Sequence, residues 1–418
     1  MDLLLEVVIE KIVHGGQGLG TLSDGRKVFV WGALPGEKAA IRITKGKRSY
    51  AEAIAVQILD PSPVRTAPRE ENYLATSPWQ IVTFSAENDY KKRIVEELFV
   101  QAHVPLPDFD MTTAGNEWQY RNKMEYSFWG DEAGLHLALY NRGSHHKTIV
   151  TGSALAMPVL DKTAQAVLAE LQKHRIRAGE LKTAIVRCSQ SGQAVASLFV
   201  KSETFTELPL PANTKGLRVY YSNPKSPASV PTALLYELGD TMLVDDLLGR
   251  RFTYNTDSFF QVNLPVFEQA LSRIKTHCQT ENLIDMYAGV GSIGLSIASK
   301  KVDLIEIDPQ TAVMARQNVQ ASGLDASVIE TSSEKALEHI TEGTPVVFDP
   351  PRAGLHGKVV QRTLETKPPR LIYLSCNPAT QARDLAKLQD AYNVDYFEAF
   401  NFFPHTPHIE TLAVLARK

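Results

Sequence analysis

The chain has 418 residues, more than one hydrophobic core usually organises, so two or three domains are expected. Hydrophobic residues make up 44% and charged residues 22%, which excludes a disordered chain, and the longest apolar runs are strand-length, too short to span a bilayer. The net charge of −3 excludes a global positive field, so contacts with a polyanion must come from local basic patches.

The start, Met1-Asp2-Leu3-Leu4-Leu5-Glu6, carries acids where a signal peptide needs bases, and a cytoplasmic protein is the expectation. Residues 1–60 read as short β segments: Leu3 to Val13, Val28 to Val30, Ala39 to Ile43 and Ala51 to Leu59. Gly15-Gly16, Gly18, Gly20, Asp24-Gly25 and Pro35-Gly36 interrupt them. A small OB-like β-barrel is the natural closure. Its segment Arg42 to Arg48 holds bases and no acid, which suits either a phosphate-touching loop or a solvated hairpin.

Pro61-Ser62-Pro63 through Pro68 reads as a stiff linker, and residues 61–250 follow as an α+β central unit. An amphipathic helix is expected around Glu87 to Gln101, with strands at Lys123 to Trp129, Leu181 to Arg187 and Ala194 to Val200. Tyr120-Arg121-Asn122-Lys123 with Tyr126, Phe128 and Trp129 interleaves bases with flat rings. Such a pattern fits a single-stranded RNA surface, although aromatics alternating along a strand are more often core.

From 251 to 418 strands and helices alternate. Asn282 to Met286, Val302 to Ile307, Pro345 to Phe348 and Arg370 to Ser375 are apolar strand-length runs with helical patterns between them, which predicts an α/β, Rossmann-like, doubly wound sheet. Ligands of such sheets bind beyond the C-terminal strand ends.

The informative residues fall at those ends. Asp285-Met286-Tyr287-Ala288-Gly289-Val290-Gly291 through Gly294 spells a dinucleotide fingerprint, and Glu306 and Asp308 after the next strand are placed to bind ribose hydroxyls. This block alone does not separate a nicotinamide enzyme from an adenosylmethionine enzyme. Asp349-Pro350-Pro351-Arg352 then supplies a stiffened carboxylate. Ser375-Cys376-Asn377-Pro378 puts a thiol before a helix N-terminus, which is expected to favour the thiolate. Cys188 and Cys278, without partner motifs, read as small core hydrophobes, and the three cysteine spacings fit neither disulfides nor zinc. His405-Thr406-Pro407-His408-Ile409-Glu410 precedes an apolar strand, Thr411 to Leu415, and its prolines fix a turn able to bring Glu410 and a histidine to the same lip.

These blocks, in this order and with Ser258-Phe259-Phe260-Gln261-Val262-Asn263 before them, resemble the TrmA/RumA class of RNA uracil-5-methyltransferases over essentially the whole chain. The resemblance implies a TRAM-like barrel at 1–60, a central RNA-binding domain at 61–250 and a catalytic domain at 251–418 that uses S-adenosylmethionine. It implies Cys376 as nucleophile and Glu410 as base. Cofactor contacts carry over to Gln261, Tyr287, Gly289, Glu306 and Asp349, and RNA contacts to Arg121 and Phe259. Asp349 and Gln261 are also expected to hydrogen-bond the target base. Several RumA-like members hold an iron-sulfur cluster on four cysteines; the corresponding stretch here, Ala67 to Phe84, contains none, so no cluster and no metal are expected.

A nicotinamide oxidoreductase leaves Asp349, Cys376 and Glu410 unexplained. An amino-methylating enzyme would place an aromatic where Arg352 stands, and a non-catalytic RNA-binding module would be expected to lose the thiol or the base. Family members with the barrel more often modify large-subunit ribosomal RNA, so 23S rRNA is the expected partner, with tRNA as the alternative. No membrane and no obligate protein partner are implied.

Overall fold

The computed structural model describes residues 4–142, 146–226 and 228–418. Strands β1 (Leu5–Ile12), β2 (Gly18–Thr21), β3 (Lys27–Trp31), β4 (Lys38–Gly46) and β5 (Tyr50–Asp60) close into a barrel in the order β1-β2-β3-β5-β4. Every second residue points inward, and Val7, Ile9, Val28, Val30, Ile41 and Ala53 fill the interior. Strand β2 was unexpected because Gly18 and Gly20 read as turn residues. They serve closure instead: a Cβ on Gly20 would stand 2.7 Å from the Val8 carbonyl oxygen, and one on Gly18 2.7 Å from Ile9 Cγ2. Leu3, assigned to the first strand by its pattern, lies outside the described residues. The basic segment 42–48 forms an exposed hairpin in which Lys45 pairs with Glu52.

Beyond the linker come α1 (Tyr73–Thr76), α2 (Phe84–Gln101) and the short strand β6 (Met111–Thr112). The sequence pattern grouped these with the central unit, but their packing joins them to the C-terminal sheet. Ile94, Val95 and Phe99 of α2 share a core with Phe348, Tyr373 and Phe397, and Phe99 meets the Phe397 ring edge-on at 5.0 Å. An apolar helical stripe shows that a face is buried without showing against what.

The middle of the chain is a seven-stranded sheet, β7 (Lys123–Asp131), β8 (Gly134–Tyr140), β9 (Lys147–Ile149), β10 (Leu181–Cys188), β11 (Ala194–Val200), β12 (Gly216–Tyr221) and β13 (Ala233–Gly239), in the order β13-β12-β11-β10-β7-β8-β9. Helix α3 (Pro158–Lys173) covers one face. Tyr126 and Phe128 are buried in that core and Trp129 is exposed, so most of the aromatic patch is packing. Cys188 and Cys278 are buried, as small hydrophobes should be.

A hairpin, β14 (Leu243–Leu247) and β15 (Arg250–Tyr254), leads through helix α4 (Leu264–His277) into the doubly wound unit. This contains β16 (Asn282–Asp285), α5 (Ser292–Ile297), β17 (Lys301–Glu306), α6 (Pro309–Ser322), β18 (Asp325–Glu330), β19 (Val346–Phe348), α7 (Gly357–Thr366), β20 (Arg370–Ser375), α8 (Pro378–Leu388), β21 (Tyr392–Phe400) and β22 (Glu410–Arg417). The sheet order is β18-β17-β16-β19-β20-β22-β21-β6, parallel from β18 to β20. Strand β22 runs antiparallel to β20, so its first residue, Glu410, lies at the lip where the parallel strands end. Among the described residues no helix is long and apolar enough to cross a membrane.

Candidate active site

Asp285 closes β16 fully buried. One of its oxygens accepts the Gly294 N–H at 2.9 Å, which ties the start of α5 to the end of the strand. Gly291 has φ +87°, and a Cβ there would stand 2.9 Å from Leu295 Cδ1, so only glycine gives this turn without strain. A Cβ on Gly294 would stand 2.8 Å from Leu304 Cδ2, where helix meets strand. Gly289, at φ +56°, borders open space beside Phe259, and its N–H donates to Glu306 at 2.9 Å. Glu306 also accepts the Asp308 N–H at 2.7 Å, and Asp308 caps α6 through the Thr311 N–H. The Tyr287 hydroxyl accepts from Ser333. The result is a glycine-lined cradle with a carboxylate at its far end, which fits an adenosyl group and its ribose hydroxyls. Burial pushes the Asp285 carboxyl up to about 7, and it raises Glu306 as well.

The loop 255–263 lies over this cradle. Phe259 is 62% exposed and points away from the core, whereas Gln261 is buried. The loop is held by two residues the sequence reading did not single out for it. Arg187, completely buried and stacked on Tyr254 at 4.7 Å, donates to the carbonyls of Asn255, Ser258 and Phe260. Asn122 donates through its side chain to the Gln261 carbonyl and through its N–H to that of Val262, both at 3.0 Å. A buried guanidinium satisfied by carbonyls has no sequence signature beyond a lone arginine in an apolar strand.

Three strand ends complete the site. Strands β20 and β22 pair from Arg370 with Ala416 to Ser375 with Thr411; Cys376 follows the last paired residue of β20 and Glu410 is the first residue of β22, so both lie at the same end of the sheet. Asp349 follows β19 on the other side of β20. The three groups feel one another. Burial and then the Asp285 carboxylate push Asp349 up to about 8, and burial and then Asp349 raise Glu410 well above the usual carboxylate range. The Cys376 thiol is pushed up to about 12, by burial first and then by Glu410 and Asp349. This corrects the expectation of a thiol lowered by the helix. Asn377, not Cys376, caps α8, so the thiol stands one residue outside the cap, and burial beside two carboxylates outweighs a half-charge at that distance. The loops are joined: the Arg352 carbonyl accepts from Asn377 Nδ2 at 2.9 Å and from Thr380 Oγ1 at 3.2 Å.

The turn 401–408 that delivers Glu410 rests on a buried polar network. Lys91 and Glu87, both fully buried on α2, pair at 2.8 Å. Lys91 Nζ donates to Asn401 Oδ1 at 2.7 Å and to the Phe403 carbonyl at 3.1 Å, and Glu87 accepts from Asn401 Nδ2 and the His405 N–H. His405 stacks on Trp118 at 3.8 Å, leaving His408 as the exposed histidine of the turn. Trp79 joins barrel to turn. Its Nε1 donates to the Gly16 carbonyl at 2.9 Å and its N–H to the His405 carbonyl at 3.1 Å, and a Cβ on Gly16 would stand 2.3 Å from Pro407 Cβ. In the stretch 67–84, where cluster cysteines would fall, Gln80 forms a knot instead, bonding Arg69, Glu70 and Ser77.

A barrel beside a doubly wound sheet with a glycine cradle is the build of an S-adenosylmethionine-dependent RNA methyltransferase, and likeness to known proteins carries that assignment. Residues 4–56 match the TRAM domain. Residues 238–418 match the tRNA (Uracil-5-)-methyltransferase family. It is 27% identical over 450 residues to an uncharacterized RNA methyltransferase of Enterococcus faecalis, covering 99% of this chain and 97% of that one. It is 28% identical to an uncharacterized RNA methyltransferase of Thermosynechococcus vestitus, covering 98% and 97%. Its fold matches that of Pyrococcus abyssi tRNA (uracil-54, C5)-methyltransferase, solved with S-adenosyl-L-homocysteine, with a TM-score of 0.81 at 21% identity, over 99% of this chain and 100% of that one.

Proposed function

We propose that this methyltransferase forms 5-methyluridine with Cys376 as nucleophile and Glu410 as base; the observation that carries it is the placement of both, with Asp349, around one lip beside the glycine cradle. Uracil C5 is a weak nucleophile. The Cys376 thiol gives its proton to solvent and its sulfur adds to C6, moving the C5–C6 electron pair onto C5 and O4 as an enolate. S-Adenosylmethionine, when bound, supplies the electrophilic methyl that C5 takes up. Glu410 then removes the C5 proton, the C5–C6 double bond re-forms, and the thiolate leaves. Gly289, Tyr287 and Glu306 hold the adenosyl end. Asp349 and Gln261 orient the base against the methyl, Phe259 and Arg121 contact the RNA, and Phe259 stabilises the strand from which the uridine is extruded, a step that costs a few kcal/mol.

In this reading residues 1–60 and 61–250 hold RNA and 251–418 carry the chemistry, apart from the α2 and β6 support, in a cytoplasmic protein. We take large-subunit ribosomal RNA as the substrate. The second reading is tRNA, and the full-length fold match to a tRNA enzyme, barrel included, favours it. Nucleoside mass spectrometry of both RNA classes from cells with and without the gene decides. Loss of 5-methyluridine from ribosomal RNA supports the first, loss from tRNA alone the second, and no loss from either refutes the activity. With 5-fluorouridine RNA, the wild type should form a covalent adduct that Cys376→Ala does not.

A further inference from the structure

Above Cys376 lies a cavity of about 270 Å³ whose walls come from all three parts of the chain: His14 and Gly15 of the barrel, Arg142 after β8, and Arg352 and His408 of the catalytic unit. Cys376 and Asn377 line it, and Arg142 and Arg352 make it basic. The Arg142 guanidinium lies over the Trp31 ring at 4.3 Å, and its Nε donates to the Leu74 carbonyl at 2.9 Å, so the group is fixed, and among the described residues its two terminal nitrogens have no hydrogen-bond partner. Arg352 has its carbonyl anchored by Asn377 and Thr380, and its Nη2 stands 3.5 Å from His408 Nδ1. Arg121, nearby, has a buried Nε without a partner. Among the described residues none of these three arginines forms an ion pair with a carboxylate. His408 reaches solvent at the cavity mouth, yet the desolvation of its ring between the loops, and then positive charges that include all three arginines, push it down to about 4, so the histidine adds no repulsive charge to the rim.

Organised guanidinium groups around a neutral histidine, above a nucleophile, make an anion site. The anion an RNA methyltransferase brings there is the phosphodiester. We propose that Arg142 and Arg352 hold the backbone phosphates on the two sides of the uridine delivered to Cys376. The planar guanidinium fork matches phosphate oxygens, and gripping both neighbours keeps the nucleotide extruded without reading its sequence. The barrel contributes the platform, Trp31, on which Arg142 is laid, so barrel and catalytic unit grip one strand together. The inference rests on the proposed uridine chemistry for the identity of the central base, and on geometry alone for the clamp.

The test uses pentauridylate, with normal linkages or with uncharged methylphosphonates on both sides of the third residue. Wild type should bind the neutralised pentamer about 10-fold more weakly, as expected for losing charge-assisted hydrogen bonds. Arg142→Gln should bind the normal pentamer about 10-fold more weakly and discriminate less between the two, with a salt slope reduced by about 0.7. Arg142→Lys, which keeps a charge and the fold, should recover part of the affinity. On RNA from cells lacking the gene, Arg142→Gln should raise KM while kcat stays within about 3-fold of wild type. If Arg142→Gln and Arg142→Lys respond to neutralisation as wild type does, the clamp is wrong. If wild type transfers no methyl to any RNA, the uridine chemistry is wrong, and the pentamer measurements still decide the clamp.

Discussion

Replacing Lys91 by Met removes a buried cation whose partners all belong to the active-site support. Lys91 pairs with Glu87 and bonds Asn401 and the Phe403 carbonyl, with no exposure to solvent. Methionine fills the same volume but leaves the Glu87 carboxylate buried and uncompensated, which costs about 3–5 kcal/mol when one partner of a buried pair is lost. Glu87 keeps the Asn401 and His405 donors, so the lower half of that range is expected. Urea unfolding followed by tryptophan fluorescence should show it, because Trp79 and Trp118 both pack on this network. The double variant Glu87→Gln, Lys91→Met should recover at least about half of the loss by removing the stranded charge. kcat should fall in the single variant, since the turn that carries Glu410 loses its anchor. A loss below about 1 kcal/mol, or a double variant no more stable than the single, would refute the claim that this pair is a coupled buried support.

Gly291→Ala places a Cβ in a left-handed residue against Leu295 and Leu304. About 2–4 kcal/mol of destabilisation and weaker S-adenosylmethionine binding by calorimetry are expected. Asp349 is held near 8 when folded, above its unfolded value, so at neutral pH the folded state binds the extra proton and stability falls as pH rises from about 4 to about 8. Asp349→Asn should therefore stabilise by a few kcal/mol at pH 8, on the order expected for a shift of this size, and hardly at all near pH 4, as read by denaturant midpoints at both values. Glu410→Gln should still add to C6 but stall before elimination, so a covalent RNA complex accumulates on gels while turnover falls by about 10²–10⁴-fold; free RNA with no adduct would speak against Glu410 as the base.

The residues proposed to do chemistry were legible because each sits in a short motif at a strand end, where Gly291, Asp349 and Cys376 are fixed by backbone geometry close by in sequence. The barrel was legible by alternation except for β2, whose glycines carry the same letters as a turn and serve instead to let two strands approach. What holds the motifs in place was not legible. Lys91 and Glu87, four residues apart on a helix, look like a surface pair, and only the tertiary fold shows them buried against Asn401, more than three hundred residues away. Arg187 and Asn122 likewise act on the loop 255–263 from the middle sheet. The state of the Cys376 thiol was misread because a helix terminus is visible in sequence, whereas the burial and the neighbouring carboxylates that override it are set by three separate strands.

Cys376 directly follows β20 and Glu410 opens β22, each one step from the Ser375–Thr411 pair, so the placement of both is tied to one strand ladder. Regulation is then expected to act on what reaches this end of the sheet, through the barrel, the arginine rim or the Phe259 loop. A single residue inserted just after Glu410 would turn its side chain to the opposite side of the sheet and is expected to abolish the proposed chemistry while leaving most of the fold in place.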